Sequence, residues 1–235
     1  MAQSVGNAKN ILVGASPLFL STIDVNDADY IQNAEPGVAI AAAAGNAAIP
    51  AFSAGVSYTT TLNAVDQTAG LFGYRNVGFT NNGLQITYNP TYDNVTVDQL
   101  LDTAKLFKSA MEVMIATEMS EGTLENIVAV FGQSASSLTS TGAGTSKKDT
   151  LGLEAGALGA APTERQLVAV GQAPTASSTS SERVYYARRV LSVQQSQFSL
   201  ARTTPTTFPV TFRLLPDANY SGSEYGKIID RILVV

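Results

Sequence analysis

Residues 83–90 read GLQITYNP, in which Leu84, Ile86 and Tyr88 alternate with Gln85, Thr87 and Asn89. A period of two sends alternate side chains to opposite faces, so a half-buried strand is expected here. Strand signals dominate the rest of the chain as well. RQLVAVGQ (165–172), VYYARRVLSVQ (184–194) and FPVTFRLLP (208–216) are rich in β-branched and aromatic residues. Clusters of Gly, Pro, Ser and Asn separate them. TASSTSS (175–181) reads as a hairpin loop between two strands, and GQSASSLTSTGAGTSKKD (132–149) as a longer polar loop. Composition does not shift across that loop. One mainly β domain over 1–235 is therefore expected.

One helix is signalled. The hydroxyl of Thr123 can accept an orphan N–H of a first turn, and Glu125 stands where the helix dipole favours an anion. Leu124, Ile127, Val128 and Phe131 form one apolar stripe, the expected core face. Gly132 can adopt the left-handed conformation that ends a helix. The preceding stretch fits two periods. Leu101, Ala104, Phe107, Met111 and Ile115 suit a helix, whereas Met111, Val113, Ile115, Thr117 and Met119 suit a strand. Periodicity leaves both open, with a helix at 97–108 and a strand at 109–119 as one combination.

Only 14% of the 235 residues are charged, against about 25% in a typical soluble domain. Such a composition points to a chain that hides surface in an assembly, or equally to a Gly- and Ser-rich β protein. The net charge of −5 disfavours tight nucleic-acid binding, which needs Lys and Arg against phosphate. The chain has no Cys and no His. No disulfide framework is possible, and the commonest general base and a principal metal ligand are missing.

Tests for chemistry fail in turn. Ser–His–Asp and Cys–His catalysis lack their base. AFSAG (51–55) has Ala51 where a nucleophile elbow needs Gly, and Lys147 follows Thr145 and Ser146 where a phosphate loop needs Gly. A calcium loop started at Asp93 meets Val95 and Val97 at ligand positions. Asp24, Asn26, Asp27 and Asp29 could gather round a cation, but the turn Gly is missing and a solvated acidic turn is the plainer reading. Glu112 and Glu118 share a face if 109–119 is a strand, yet six residues of strand span roughly 20 Å, too far for a glycosidase pair. No enzyme and no cofactor is expected.

The start, MAQSVGNAKNILVGASPLFLS, is a poor signal peptide, because its basic region is thin and Gly14, Ser16 and Pro17 break the apolar run. A first strand is expected there. The Ala-rich run 37–56 is interrupted by Asn46, Pro50 and Ser53, and reads as a packed loop rather than a membrane span.

The order of these elements resembles the major tail protein, or tail tube protein, of long-tailed bacteriophages, a family related to the type VI secretion tube. GLQITYNPTYDNVTVDQ, MEVMIATEM, TLENIVAVFG and the FSLAR to TFPVTFR pair carry the resemblance over about residues 70–216. Over 1–69 it is weak, and 24–69 looks like an insertion. The resemblance implies a β-sandwich or barrel with one flanking helix. Protomers would form hexameric rings whose strands join between subunits into a ring-shaped barrel, and the rings would stack into a DNA conduit. It implies a virion tail location after assembly in the host cytoplasm, with tape measure, tail tip and terminator proteins as further partners. Viral DNA would pass without tight binding, and no membrane is involved. It resolves 109–119 as strand and 124–131 as helix. It makes Asn89 to Lys108 a loop, with room for a short helix, reaching the next ring through Tyr92, Asp93, Val95, Asp98 and Leu101. A carbohydrate- or receptor-binding virion β-sandwich, or a single-ring connector, is the alternative.

Overall fold

In a computed structural model of the chain, the described residues are 18–21, 74–99, 102–155, 158–159, 162–173, 181–200, 202–203 and 205–232. The acidic turn at Asp24, Asn26, Asp27 and Asp29 and the Ala-rich run lie outside them. The described strands are β1 (Leu18–Ser21), β2 (Tyr74–Asn76), β3 (Thr80–Thr96), β4 (Thr103–Met119), β5 (Leu138–Thr141), β6 (Lys148–Leu151), β7 (Arg165–Gln172), β8 (Ser181–Ser192), β9 (Phe208–Leu214) and β10 (Gly226–Ile232). One α-helix, α1 (Leu124–Val130), occurs among the described residues. The protein is mainly β, and every strand pairing is antiparallel.

Eight strands form the main sheet, in the order β2-β1-β7-β8-β9-β4-β3, with β10 also on β8. The sheet forks at β8. One edge of β8 takes β7; the other takes β10 along Ser181–Ala187 and β9 along Val190–Ser192. Gly226 lets β10 start close against β8, since a Cβ there would lie 1.9 Å from the Tyr186 carbonyl oxygen.

Alternation along the strands builds the core. Val113, Ile115 and Met119 of β4 meet Phe208, Val210, Phe212 and Leu214 of β9. The same layer continues through Leu167 and Ala169 of β7 to Leu18 and Leu20 of β1. Phe19, Val168, Val170, Val184 and Tyr186 form a second buried cluster on the opposite face.

The helix is short and held at both ends. Thr123 Oγ1 accepts from the Asn126 N–H at 3.3 Å. Beyond the C-cap Phe131, Gly132 takes φ 65°. The Gln133 N–H then reaches the Val128 carbonyl and the Gly132 N–H the Ala129 carbonyl, which satisfies orphan acceptors of the last turn. Val128, Ala129 and Val130 are buried, and Leu124 and Ile127 half-buried. The expected face is corrected at Phe131, which is exposed. The helix stops at Val130, so the Phe131 ring lies past the core and packs on Phe198 instead. Asn126 supplies the latch that apolar periodicity does not reveal. It is fully buried, and its Nδ2 donates to the Val77 and Glu121 carbonyls at 2.9 and 2.8 Å.

Three expectations change. Residues 89–108 are not a loop with a short helix: β3 and β4 are 17 residues each and pair from Thr80–Met119 to Thr96–Thr103. Cross-strand pairing with β4 extends the chain through Pro90, Asp93 and Asn94, residues whose local preference is for turns. The polar loop 132–149 contains β5 and the start of β6, paired as a small hairpin. At the C-terminal end, β10 adds a strand that no sequence signal above singled out.

Two consequences are measurable. Asn126→Ala strips the buried Val77 carbonyl and the half-buried Glu121 carbonyl of their donor and should cost about 2 kcal/mol, read by urea denaturation; a loss below the fitting error refutes the latch. Asp230 accepts from Arg183 Nε and Nη2 at 2.6 and 2.7 Å, tying β10 to β8. That hydrogen bonding holds the Asp230 carboxyl below its ordinary value. The bridge therefore stabilises above the unfolded carboxyl pKa, about 3.9, and is lost as pH falls through the lower folded value. Asp230→Asn should speed amide exchange across 226–232 at pH 7 and make no difference below both values.

Candidate functional site: a hairpin arm and the cleft at its base

β4 pairs with β9 only over Met114–Met119. From Thr103 to Val113 its described pairing is with β3 alone, so the two strands run on as a two-stranded arm. Most arm residues are exposed on both faces. Alternation places Tyr88, Tyr92 and Leu106 on the face that continues the core, and Val95 and Phe107 on the other. Tyr92 is 57% exposed, Leu106 64% and Phe107 46%. Two register shifts, at Thr91/Tyr92 and Val95/Thr96, interrupt the ladder of the arm. Lys108 lies over the Tyr88 ring, 5.6 Å from its centroid, and its ammonium donates to the Tyr88 hydroxyl at 3.4 Å.

Where the fork opens, the arm base and β10 enclose an apolar cleft of about 320 Å³. Ile86, Tyr88 and Met111 line one side, and Tyr185, Tyr225 and Ile228 another. Ile228 is 67% exposed at the lip. The arm and the cleft together hold eight of the fourteen exposed large hydrophobic side chains among the described residues, Ile86, Tyr88, Tyr92, Val95, Val97, Leu106, Phe107 and Ile228.

The residues expected to touch a neighbouring ring are distributed along this arm. Tyr92, Asp93 and Val95 are strand residues of β3, and Asp98 lies in the turn at its tip; all four are exposed. Leu101 lies outside the described residues. Asp93 pairs in register with Phe107, and Tyr92 with Lys108. Asp102 accepts from the Thr103 N–H at 2.7 Å, closing the start of β4. The three aspartates do not converge: each occupies its own place along the arm or its turn. Phe107 was missed as a surface residue because its spacing also suits the apolar stripe of a helix, and Leu106 was not singled out by either period.

Among the described residues no three Asp or Glu side chains gather as a metal-binding group. No helix among them is long and apolar enough to cross a membrane. Comparison of the chain with protein-family models and with curated proteins found no match.

The arm should be dispensable for folding. Replacing 91–110 by Asn-Gly would join the paired Pro90 and Met111 through a tight hairpin turn. Because the removed side chains are almost all exposed, thermal unfolding should shift by no more than a typical surface change, about 0.5 kcal/mol. Unfolding of the shortened chain at room temperature would show that the arm is part of the core.

Proposed function

We propose that this chain is a structural virion protein, a tail-tube subunit that self-assembles into hexameric rings stacked as the conduit for DNA ejection. The observation that carries the reading is the arm, which exposes apolar and aromatic side chains on both faces. An isolated two-stranded hairpin is marginal in water, and contiguous uncovered apolar surface marks an interaction site. Stacking would cover the arm with the adjacent ring. The outer edge of β3 also suits lateral joining. It carries Pro90 and Asp93 but no Lys, so it has little of the charge that usually protects an edge strand.

Strands joining between subunits would close the sheet into a ring-shaped barrel, a tail-tube fold in which no edge is left open. The low charge content fits a subunit with much of its surface in interfaces. The net charge of −5 would keep DNA from adhering to the wall, since like charges repel. The role is architectural and not enzymatic. Tape measure, tail tip and terminator proteins are the expected partners at the ends of the tube, within the virion tail.

Negative-stain electron microscopy of the purified protein should show rings or tubes of uniform bore. A chain that remains monomeric at high concentration overturns the proposal. Asp93→Lys with Asp98→Lys should leave the circular dichroism spectrum and the rings intact and impair stacking. Normal tubes from that variant would remove the arm tip from the ring contact.

A further inference from the structure

Two buried arginines line one small cavity beside the helix. Ser21, Arg75, Glu125, Leu138 and Arg165 are among its walls, and its volume is about 100 Å³. That is well below the roughly 300–1,000 Å³ of an organic-ligand pocket, and suits a single small ion. Arg165 uses its guanidinium within the chain: Nη1 donates to the Ser21 carbonyl and Nη2 to the Gln133 carbonyl, each at 2.9 Å.

Arg75 differs. It is 7% exposed, and among the described residues its side chain makes no hydrogen bond and no ion pair. Glu125 and Glu121 act on it only through space. Glu121 is already engaged, accepting from the Phe79 N–H at 3.0 Å. Burial is the dominant influence on Arg75 and lowers its pKa to about 10, with the charge of Arg165 acting in the same direction. The group remains a cation at pH 7. The nitrogens of this guanidinium are not sealed from solvent, yet a cation that is largely buried with five N–H donors and no protein acceptor among the described residues is costly to keep. An oxyanion would relieve that cost, because guanidinium matches tetrahedral and planar oxyanions with paired hydrogen bonds.

We propose that Arg75 anchors a binding site for a small tetrahedral oxyanion of the phosphate or sulfate class, with Arg165 supplying the second positive charge. Glu125 lines the same cavity without reaching Arg75, and so acts as a repulsive neighbour that limits affinity. Ala135 on the cavity wall is exposed whereas Arg75 is buried, which favours a small diffusible ion over a bulky side chain from another molecule.

The test is thermal unfolding of the full chain in sodium chloride and in sodium phosphate or sulfate at equal ionic strength. These anions stabilise most proteins without a site, so the informative quantity is the saturable part of the shift. Wild type should show it. Arg75→Met should lose it, and should unfold in chloride at or above the wild-type temperature because no unpaired charge is buried. Glu125→Gln should tighten phosphate binding several-fold. Equal shifts in wild type and Arg75→Met, or no saturable shift in wild type, overturn the site. Should Arg75→Met fail to fold, Glu125→Gln decides, and unchanged or weaker binding refutes the proposal. A wild-type melting temperature in chloride that climbs with protein concentration, but does not in Arg75→Met, would assign Arg75 to a second copy of the chain and overturn it too.

Discussion

A strand edge offers one row of donors and acceptors, and no residue on that edge can serve two neighbouring strands. β8 meets this limit by dividing its second edge between β10 and β9. Much of the remaining architecture follows. β9 reaches β8 only at Val190–Ser192, so the β9, β4 and β3 portion departs from the β10 portion. β4 then outruns β9, and the surplus length pairs with β3 alone. The arm and the apolar cleft at its base are thus two aspects of one division of hydrogen-bonding capacity. The bidentate Arg183–Asp230 pair sits on the β10 branch and fixes its register against β8.

The helix is anchored by polar contacts more than by its short apolar stripe. Seven residues give barely two turns, too few to persist by propensity alone. Asn126 compensates by bonding two carbonyls outside the helix, one just before β3 and one just after β4. It thereby pins the root of both arm strands to the core. Ser192 Oγ adds a bond to the Val130 carbonyl at 2.8 Å, linking the end of the helix to β8. Asn126 Oδ1 is left without a partner among the described residues, so the latch is made by the amide nitrogen alone.

Elements fixed by burial were legible in the sequence, whereas elements fixed by pairing were not. β7, β8 and β9 read correctly because burial favours the β-branched and aromatic residues in which they are rich. The Thr123 cap and the Gly132 stop bracketed the helix for a local reason, the geometry of its termini. The outer arm escaped because Pro90, Asp93 and Asn94 signal turns, and their neighbours alternate without a buried face. Pro90 is nonetheless acceptable where it stands, since β3 is an edge strand of the described sheet and an edge tolerates a missing N–H. Arg75 escaped for another reason. It sits in a strand of three residues, and nothing local marks an arginine that shares a cavity with a helix some fifty positions away in sequence.

The arm is no poorer in charge than an ordinary surface, since residues 89–112 hold six charged side chains in 24 against 14% for the whole chain, so it is its apolar exposure that calls for an account. A monomer that exposed Tyr92, Leu106, Phe107 and Ile228 would ordinarily surround them with Lys and Glu to stay soluble. The paired stretches Asn89–Thr96 and Thr103–Glu112 carry four charges in 18 residues, Asp93, Lys105, Lys108 and Glu112. Lys108 is itself drawn over Tyr88. Covering both faces of such a hairpin would remove apolar area from water at roughly 25 cal/mol per Å². Among the described residues β3 is an edge strand without lysines, and its outer edge adds a row of backbone groups interrupted at Pro90. The exposed side chains and the open edge favour the same event, burial against further protein. That convergence makes assembly the most economical physical account of the arm.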